Sequence, residues 1–442
     1  MATTPAAAPQ AVILEARDIG TRIAPLAVGS WVLYDFANTI FSLNIISTFF
    51  PQYVKELGRD DAVYAFPMSA SLLVVALISP LLGALSDRAG GKRIPWLIVS
   101  TLLCVAMTAL MGLASDLWMV IAALVIANIG YQTALVFYDA LLPSVSTTLN
   151  WGKISGLGVG VGYAGALLGG VIVTYLIGTP ATRANFTNQD AFIPTALLFL
   201  LFALPCFLFV RERRVDIERV VPVERLSWRG SVTQTWRTLQ ETRRVPGLFT
   251  FLVANFFYSD ALNTVIIAMG VYATAVIGFD SPLEVLAPAI ITAVIGSWIF
   301  GFVTDRLTAK ISLVISLLMW VGVFLAAMFI TDRVIFQWVI APVAGIALGS
   351  TWTAARTMMI ELSPPARLGE YMGIYNLTGK FSAVLGPFLW GTTLLLLKPN
   401  EYGQFAYQVA IGTLLVMVLI GLFIHLRTPN IERRRAAAVS QA

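Results

Sequence analysis

The chain has 442 residues, 58% of them hydrophobic and only 12% charged, with a mean hydropathy of +0.81. Soluble domains carry roughly 45–50% apolar and about 25% charged residues, so the polar residues that would cover a soluble surface are missing. This excludes a soluble enzyme, a disordered scaffold and a nucleic-acid-binding module. The apolar residues lie in long runs without alternation, which excludes an outer-membrane β-barrel and leaves a polytopic all-α membrane protein.

Residues 1–23 contain no basic segment followed by an apolar core and a cleavage site; they read as a cytoplasmic tail ahead of a retained first span. A bilayer-crossing helix needs about 20 mostly apolar residues. Six segments meet this at 24–54, 64–85, 94–114, 117–142, 154–177 and 191–210. Six more follow at 247–277, 284–304, 311–330, 334–361, 368–396 and 403–426. The expected organisation is a six-helix bundle over 24–210, a cytoplasmic basic linker over 211–246, a second six-helix bundle over 247–426 and a cytoplasmic tail over 427–442. The linker holds nine arginines against five acids and repeats Trp-Arg at 228–229 and 236–237. Such a segment suits an amphipathic stretch on the inner membrane face or a regulatory docking site.

An even number of spans puts both termini on one side. If that side is the cytoplasm, 22 of the 29 basic residues lie on it and five lie outside, which is the asymmetry of the positive-inside rule. A bacterial inner membrane is the expected location. The net charge of +5 is then a topology signal with some attraction to anionic lipid, and no nucleic-acid partner is expected. Cys104 and Cys206 lie in apolar runs without metal-type spacing and read as packing residues. His425 ends the last span and reads as an interfacial residue.

Two short motifs recur in the two halves. Gly83-Ala-Leu-Ser-Asp87-Arg88-Ala-Gly90-Gly-Lys92-Arg93 follows the second span, and Gly301-Phe-Val-Thr-Asp305-Arg306-Leu-Thr-Ala-Lys310 follows the eighth, 218 positions on. Asp35-Phe-Ala-Asn38-Thr39 in the first span matches Asp260-Ala-Leu-Asn263-Thr264 in the seventh, 225 positions on. In the loop motif, the glycine lets two helix ends approach. The aspartate can accept backbone N–H groups at a neighbouring helix N-terminus, while Arg88, Lys92, Arg93 and Arg306 stay with the inner headgroups. A latch of this kind can break and re-form, as alternating access requires.

With this loop between spans 2 and 3 and a degenerate copy between spans 8 and 9, the chain resembles the major facilitator superfamily over residues 24–426. Trp31 to Thr39, Phe137-Tyr138-Asp139-Ala140-Leu141-Leu142-Pro143, and Gly373-Ile-Tyr375-Asn376-Leu-Thr-Gly379-Lys380 with Gly386-Pro387 are similar to the branch containing the yeast autophagy-related vacuolar amino-acid effluxer and its bacterial relatives. Asp139 stands where that branch usually carries Asn. The resemblance implies twelve helices in two halves, with spans 1, 4, 7 and 10 lining a cavity.

Charge at mid-bilayer costs roughly 2.5–3.5 kcal/mol on insertion scales, so it faces the interior and is seldom idle. Asp35, Asp260 and Lys380 are central by count. Asp35 shares a helix face with Asn38, as Asp260 does with Asn263, while Asn376 lies one turn from Lys380. In the implied fold the two carboxylates confront each other across the halves, and with Lys380 they either hold a zwitterion or form a closed ion-pair network. Proton coupling through these carboxylates is a hypothesis of the same reading. Arg356, towards the inner end of span 10 with Glu361, either pairs with Asp139 to close the inner side, the favoured reading, or binds an anionic group of the substrate. Asn128, Gln132 and Asp139 share a face of span 4, as cavity wall or as helix–helix hydrogen bonders. Tyr34 and Tyr258, beside their acids, and Trp31, Trp352 and Tyr375 are either pocket walls or packing. The glycines of span 5, from Gly156 to Gly170, suit close packing against span 8, or a hinge.

No catalytic constellation and no phosphate-binding loop are present in the sequence, so neither an enzyme nor an ATP-driven pump is expected, and no metal or cofactor. The reading is a monomeric secondary active transporter of a small organic solute, amino acids first, effluxed with proton coupling. A cation-coupled symporter of a sugar or other solute is the alternative within transport, and a non-transporting membrane sensor or assembly subunit is the alternative of another class.

Overall fold

A computed structural model describes residues 24–59, 62–88, 92–178, 187–212, 237–281, 283–382 and 385–430. The tails 1–23 and 431–442, most of the linker (213–236), Gly90 of the loop motif and the side chain of Arg88 lie outside the described residues.

Among the described residues, twelve helices are long and apolar enough to cross a membrane: α1 (Pro25–Glu56), α2 (Phe66–Asp87), α3 (Ile94–Leu113), α4 (Leu117–Ala140), α5 (Trp151–Ile177), α6 (Asn188–Phe209), α7 (Leu248–Ile277), α8 (Leu283–Arg306), α9 (Ala309–Phe329), α10 (Arg333–Leu362), α11 (Leu368–Leu397) and α12 (Gln404–Leu426). Each boundary falls within three residues of the span expected from hydropathy. The helix starts carry the usual signals. Asp116 and Thr308 accept the amides of Met119 and Ile311 at 2.9 and 3.2 Å, opening α4 and α9. Pro25 and Pro95 sit in the first turns of α1 and α3, where no amide is needed. Gly278 ends α7 at φ 81°, in the left-handed region that favours glycine. Large apolar side chains such as Val99, Leu168, Ile267 and Phe423 point outward uncovered, which suits a lipid-facing surface. The protein is a multi-pass integral membrane protein.

The first six spans pack on one another, chiefly α1 with α5 and α6 and α3 with α4; the last six do likewise, chiefly α8 with α10 and α7 with α12. The bundles are joined chiefly by α5 with α8 and α2 with α11, and also by α5 with α10 and α4 with α11. α11 is described over Leu368–Ser382 and Leu385–Leu397; α2 and α7 pack along the first stretch, and α12 and α7 along the second.

The glycines of α5 divide into two stripes. A Cβ on Gly152, Gly156 or Gly160 would stand 2.3–2.9 Å from Gly301, Ser297 or Asp305 atoms of α8. One on Gly158, Gly165 or Gly169 would meet Trp31, Phe36 or Ile40 of α1 at 2.5–2.8 Å. The expected packing against α8 therefore accounts for only part of the pattern; most of the glycines between Gly156 and Gly170 seat α1. Small residues permit this approach because helix axes in a membrane are held by van der Waals contact and not by expulsion of water.

Candidate functional site

The central polar residues assemble around Arg356. This guanidinium, carried by α10 of the second half, lies between two carboxylates of the first: its Nε is 3.0 Å from Asp139 Oδ1 and its Nη1 is 3.5 Å from Asp35 Oδ2. All three residues are nearly buried. The guanidinium also lies over the rings of Trp31 and Tyr138, 5.7 and 5.5 Å from their centroids, a placement that stabilises a desolvated cation. Those two rings stack on each other at 4.5 Å, and the Trp31 indole donates to the Tyr138 carbonyl at 3.2 Å, which fixes the platform. From α11, Asn376 and Lys380 approach Asp139, and the Lys380 charge interacts with that carboxylate. Asn376 donates to the Met372 carbonyl at 3.1 Å, and both side chains are half-buried. The Asn38 amide oxygen is buried without a hydrogen-bond partner, one turn beyond Asp35.

This assembly differs from the expected Asp–Lys–Asp set. Asp35, Asp139, Arg356 and Lys380 come together, whereas Asp260 is held by its own half. Asp260 Oδ2 accepts the amide of Gly386 of α11 at 2.7 Å, and Oδ1 is buried without a hydrogen-bond partner among the described residues. Asn263 is half-buried nearby on α7. The tyrosines beside the acids are buried within their own bundles. The Tyr34 hydroxyl shares a 2.6 Å hydrogen bond with Thr101 of α3, and its ring packs on Tyr138, Phe199 and Phe207. Tyr258 is fully buried against Gly421 of α12. On α4, Asn128 donates to Ser71 of α2 at 2.7 Å and accepts from Gln132 of its own helix at 3.5 Å, so Asn128 ties α4 to α2.

Both loop motifs form carboxylate–amide contacts between the halves. Asp87, ending α2, accepts the amides of Gly369 and Glu370 at 3.1 and 2.9 Å, at the start of α11. Asp305, ending α8, accepts the amides of Gly152 and Lys153, both at 2.9 Å, at the start of α5. Gly83 permits the first approach: a Cβ there would stand 2.1 Å from the Gly369 carbonyl oxygen. Gly301 does the same for the second, 2.9 Å from the Gly152 carbonyl. Lys92 and Arg306 are exposed, as expected, but Arg93 is not with the headgroups. It is buried and paired with Asp87 at 2.9 Å, supplying a counter-charge for a carboxylate that the latch removes from water.

Residues that sequence reasoning passed over lie beside the first latch. Glu212, just past α6, accepts the amides of Arg93 and Ile94. Glu370 accepts from Thr238, and Arg367 pairs with Glu370 at 2.8 Å and with Glu241 at 2.7 Å. The i, i+3 spacing of Arg367 and Glu370 was the available signal.

The sequence model of the Major Facilitator Superfamily matches residues 36–387 and 285–441, and the chain belongs to that superfamily of membrane transporters. It is 28% identical over 413 residues to the MFS-type transporter YxiO of Bacillus subtilis, covering 89% of this chain and 93% of that one. It is 22% identical over 441 residues to autophagy-related protein 22 of Kluyveromyces lactis, covering 82% and 87%. In fold it is similar to the human organic anion transporter MFSD10, with a TM-score of 0.70 at 15% identity over 91% of this chain and 100% of that chain.

Proposed function

We propose that the protein is a secondary active transporter that moves a small zwitterionic solute, an amino acid first, by rocking residues 24–210 against 247–426 about the Arg356 cluster. One observation carries this reading: a single buried guanidinium of the second half is shared by Asp35 and Asp139 of the first. The cluster holds two acids and two bases, Asp35, Asp139, Arg356 and Lys380. A zwitterion brings one charge of each sign, so its ammonium can take a carboxylate and its carboxylate a base without leaving any charge uncompensated in low dielectric. Such an exchange loosens the tie between the halves, and protonation of either aspartate does the same. This supports proton coupling. The resemblance to the vacuolar amino-acid effluxer branch supports amino acids and efflux. The distribution of basic residues supports cytoplasmic termini and a bacterial inner membrane.

The contacts that join the halves, from Asp87 and Asp305 to Arg356, are concentrated towards the end where the described chain begins and ends. With the termini cytoplasmic, this is a state closed to the cytoplasm, with Asp87 and Asp305 as its latches. The test is a thermal-shift screen of the purified protein against amino acids, sugars and organic acids, followed by counterflow in proteoliposomes. An amino acid is expected to stabilise the protein, and Asp35→Asn and Lys380→Ala are expected to abolish the shift. A hit that neither substitution affects removes the Arg356 cluster as the binding site.

A further inference from the structure

The two ends of the linker meet at the Asp87 latch from opposite sides. On one side, Glu212 accepts the amides of Arg93 and Ile94, capping the N-terminus of α3. Arg93 is the residue whose guanidinium lies 2.9 Å from Asp87 Oδ1. On the other side, residues 237–242 form a short helical return that sits on the start of α11. There Thr238 donates to Glu370, and Glu241 lies 2.7 Å from Arg367, which itself holds Glu370 at 2.8 Å. Glu370 is one of the two residues whose amides Asp87 accepts. Burial works against the charge on Arg367, but the paired Glu370 and Glu241 outweigh it and hold its pKa above the ordinary value. A cavity of about 390 Å³, lined by Glu241, Arg244, Arg367 and Tyr371, opens beside this pair.

The geometry points to the linker as a working part of the latch: Glu212, Thr238 and Glu241 are positioning residues that hold the donor and counter-charge of Asp87 in place and so bias the transporter towards its closed cytoplasmic side. The chain of contacts is continuous. Glu212 orders the backbone of Arg93, Arg93 neutralises Asp87, Asp87 caps α11, and Thr238, Glu241 and Arg367 brace the Glu370 side chain of that cap. Because the linker joins the two halves covalently and grips both sides of the latch, any ligand or modification that pulled it away would release the latch without touching the solute site. A passive tether would need neither end in contact with these residues. The inference rests on the Asp87 latch being part of the gate proposed above.

The test reads how often the cytoplasmic side opens. Ser155 is fully buried where α5 meets α10, and its hydroxyl donates to the Thr353 carbonyl at 3.2 Å. In the full chain carrying Ser155→Cys, maleimide labelling of that cysteine is followed by mass spectrometry. Cys104 and Cys206, fully buried within the first half, report general loosening in the same sample. Glu212→Gln, Thr238→Val and Glu241→Gln are each expected to speed labelling at position 155 about two- to fivefold, the range for partly exposed polar contacts. The triple variant is expected to exceed tenfold or so, with Cys104 and Cys206 unchanged. Glu241→Gln and Arg367→Gln together should cost less than the sum of the two, as expected for groups in one contact. If Asp87→Ala speeds labelling but the linker variants do not, the linker is a passive tether and the inference is overturned while the gate stands. If Asp87→Ala has no effect either, gate and inference fall together. Equal gains at Cys104 and Cys206 would overturn it as well, since they mark a destabilised bundle.

Discussion

Replacing Asp305 with alanine probes the second latch, where the carboxylate accepts two backbone amides, each at 2.9 Å. A hydrogen bond to a charged group is worth about 1.5–3 kcal/mol by substitution. Opening the cytoplasmic side gives water to both partners, so only part of that, about 1 kcal/mol per bond, separates closed from open. The favourable placement of a carboxylate at the N-terminus of α5 adds about 0.3–1 kcal/mol. The sum, about 2–3 kcal/mol, shifts the closed-to-open ratio by roughly 30- to 150-fold. Labelling of Ser155→Cys, which is buried between the halves, should accelerate by that factor as long as the open fraction stays small. Asp305→Asn keeps an acceptor but loses the charge and should fall between the parent and the alanine variant. An Asp305→Ala protein with an unchanged labelling rate and an unchanged melting temperature would refute the latch, because the two amide contacts would then add nothing to the packing of α5 on α8.

Other substitutions probe the remaining contacts. Gly156→Ala places a Cβ 2.3 Å from the Ser297 carbonyl oxygen, so overpacking of about 1–3 kcal/mol should disfavour the closed cytoplasmic side. Labelling at position 155 should rise and solute counterflow should fall, and a parent-like rate would show that α5 and α8 can slide apart at no cost. Asp260→Ala removes the carboxylate that accepts the Gly386 amide at 2.7 Å and should lower stability by about 1.5–3 kcal/mol, read as an earlier thermal unfolding midpoint. An unchanged midpoint would mean that this hydrogen bond does not hold α7 to α11. Arg356→Ala leaves Asp35 and Asp139 without their shared cation and should reduce counterflow at least tenfold. Arg356→Lys keeps the charge but cannot span two carboxylates and two rings, so it should rank between alanine and the parent; equal rates for lysine and arginine would show that only charge matters there.

What could be read from the sequence and what could not divides along a physical line. Span positions were legible because hydropathy over about 20 residues is a local property, and all twelve boundaries follow it. The loop acids were legible as acceptors of helix amides, since an acid beside a close-packing glycine at a helix end has little else to do. Their partners were not, because which helix start lies opposite is decided by the packing of whole bundles. Arg356 and Asp35 are 321 residues apart; depth along each span put Asp35 near the middle and Arg356 towards the inner end, and only the packing of α1 and α10 brings them together.

The divergence of Asp35 from Asp260 is the more instructive case, because the two acids keep their symmetry and still end in different roles. Each lies against a glycine in the fifth span of its own half. A Cβ on Gly158 of α5 would stand 3.1 Å from Asp35 Oδ2, and one on Gly386 of α11 would stand 2.9 Å from Asp260 Oδ1. α5 is continuous from Trp151 to Ile177, so the amide of Gly158 is already committed to its own helix and offers Asp35 nothing. That carboxylate turns to the cation across the interface. The amide of Gly386 donates to Asp260 Oδ2 at 2.7 Å, one residue before a proline that has no amide to offer. The same acid on the same face of the same span thus becomes a contact between the halves in one bundle and an acceptor for a neighbouring helix of its own bundle in the other. The difference follows from whether the facing glycine amide is free to donate, for which Gly386-Pro387 was a sign in the sequence.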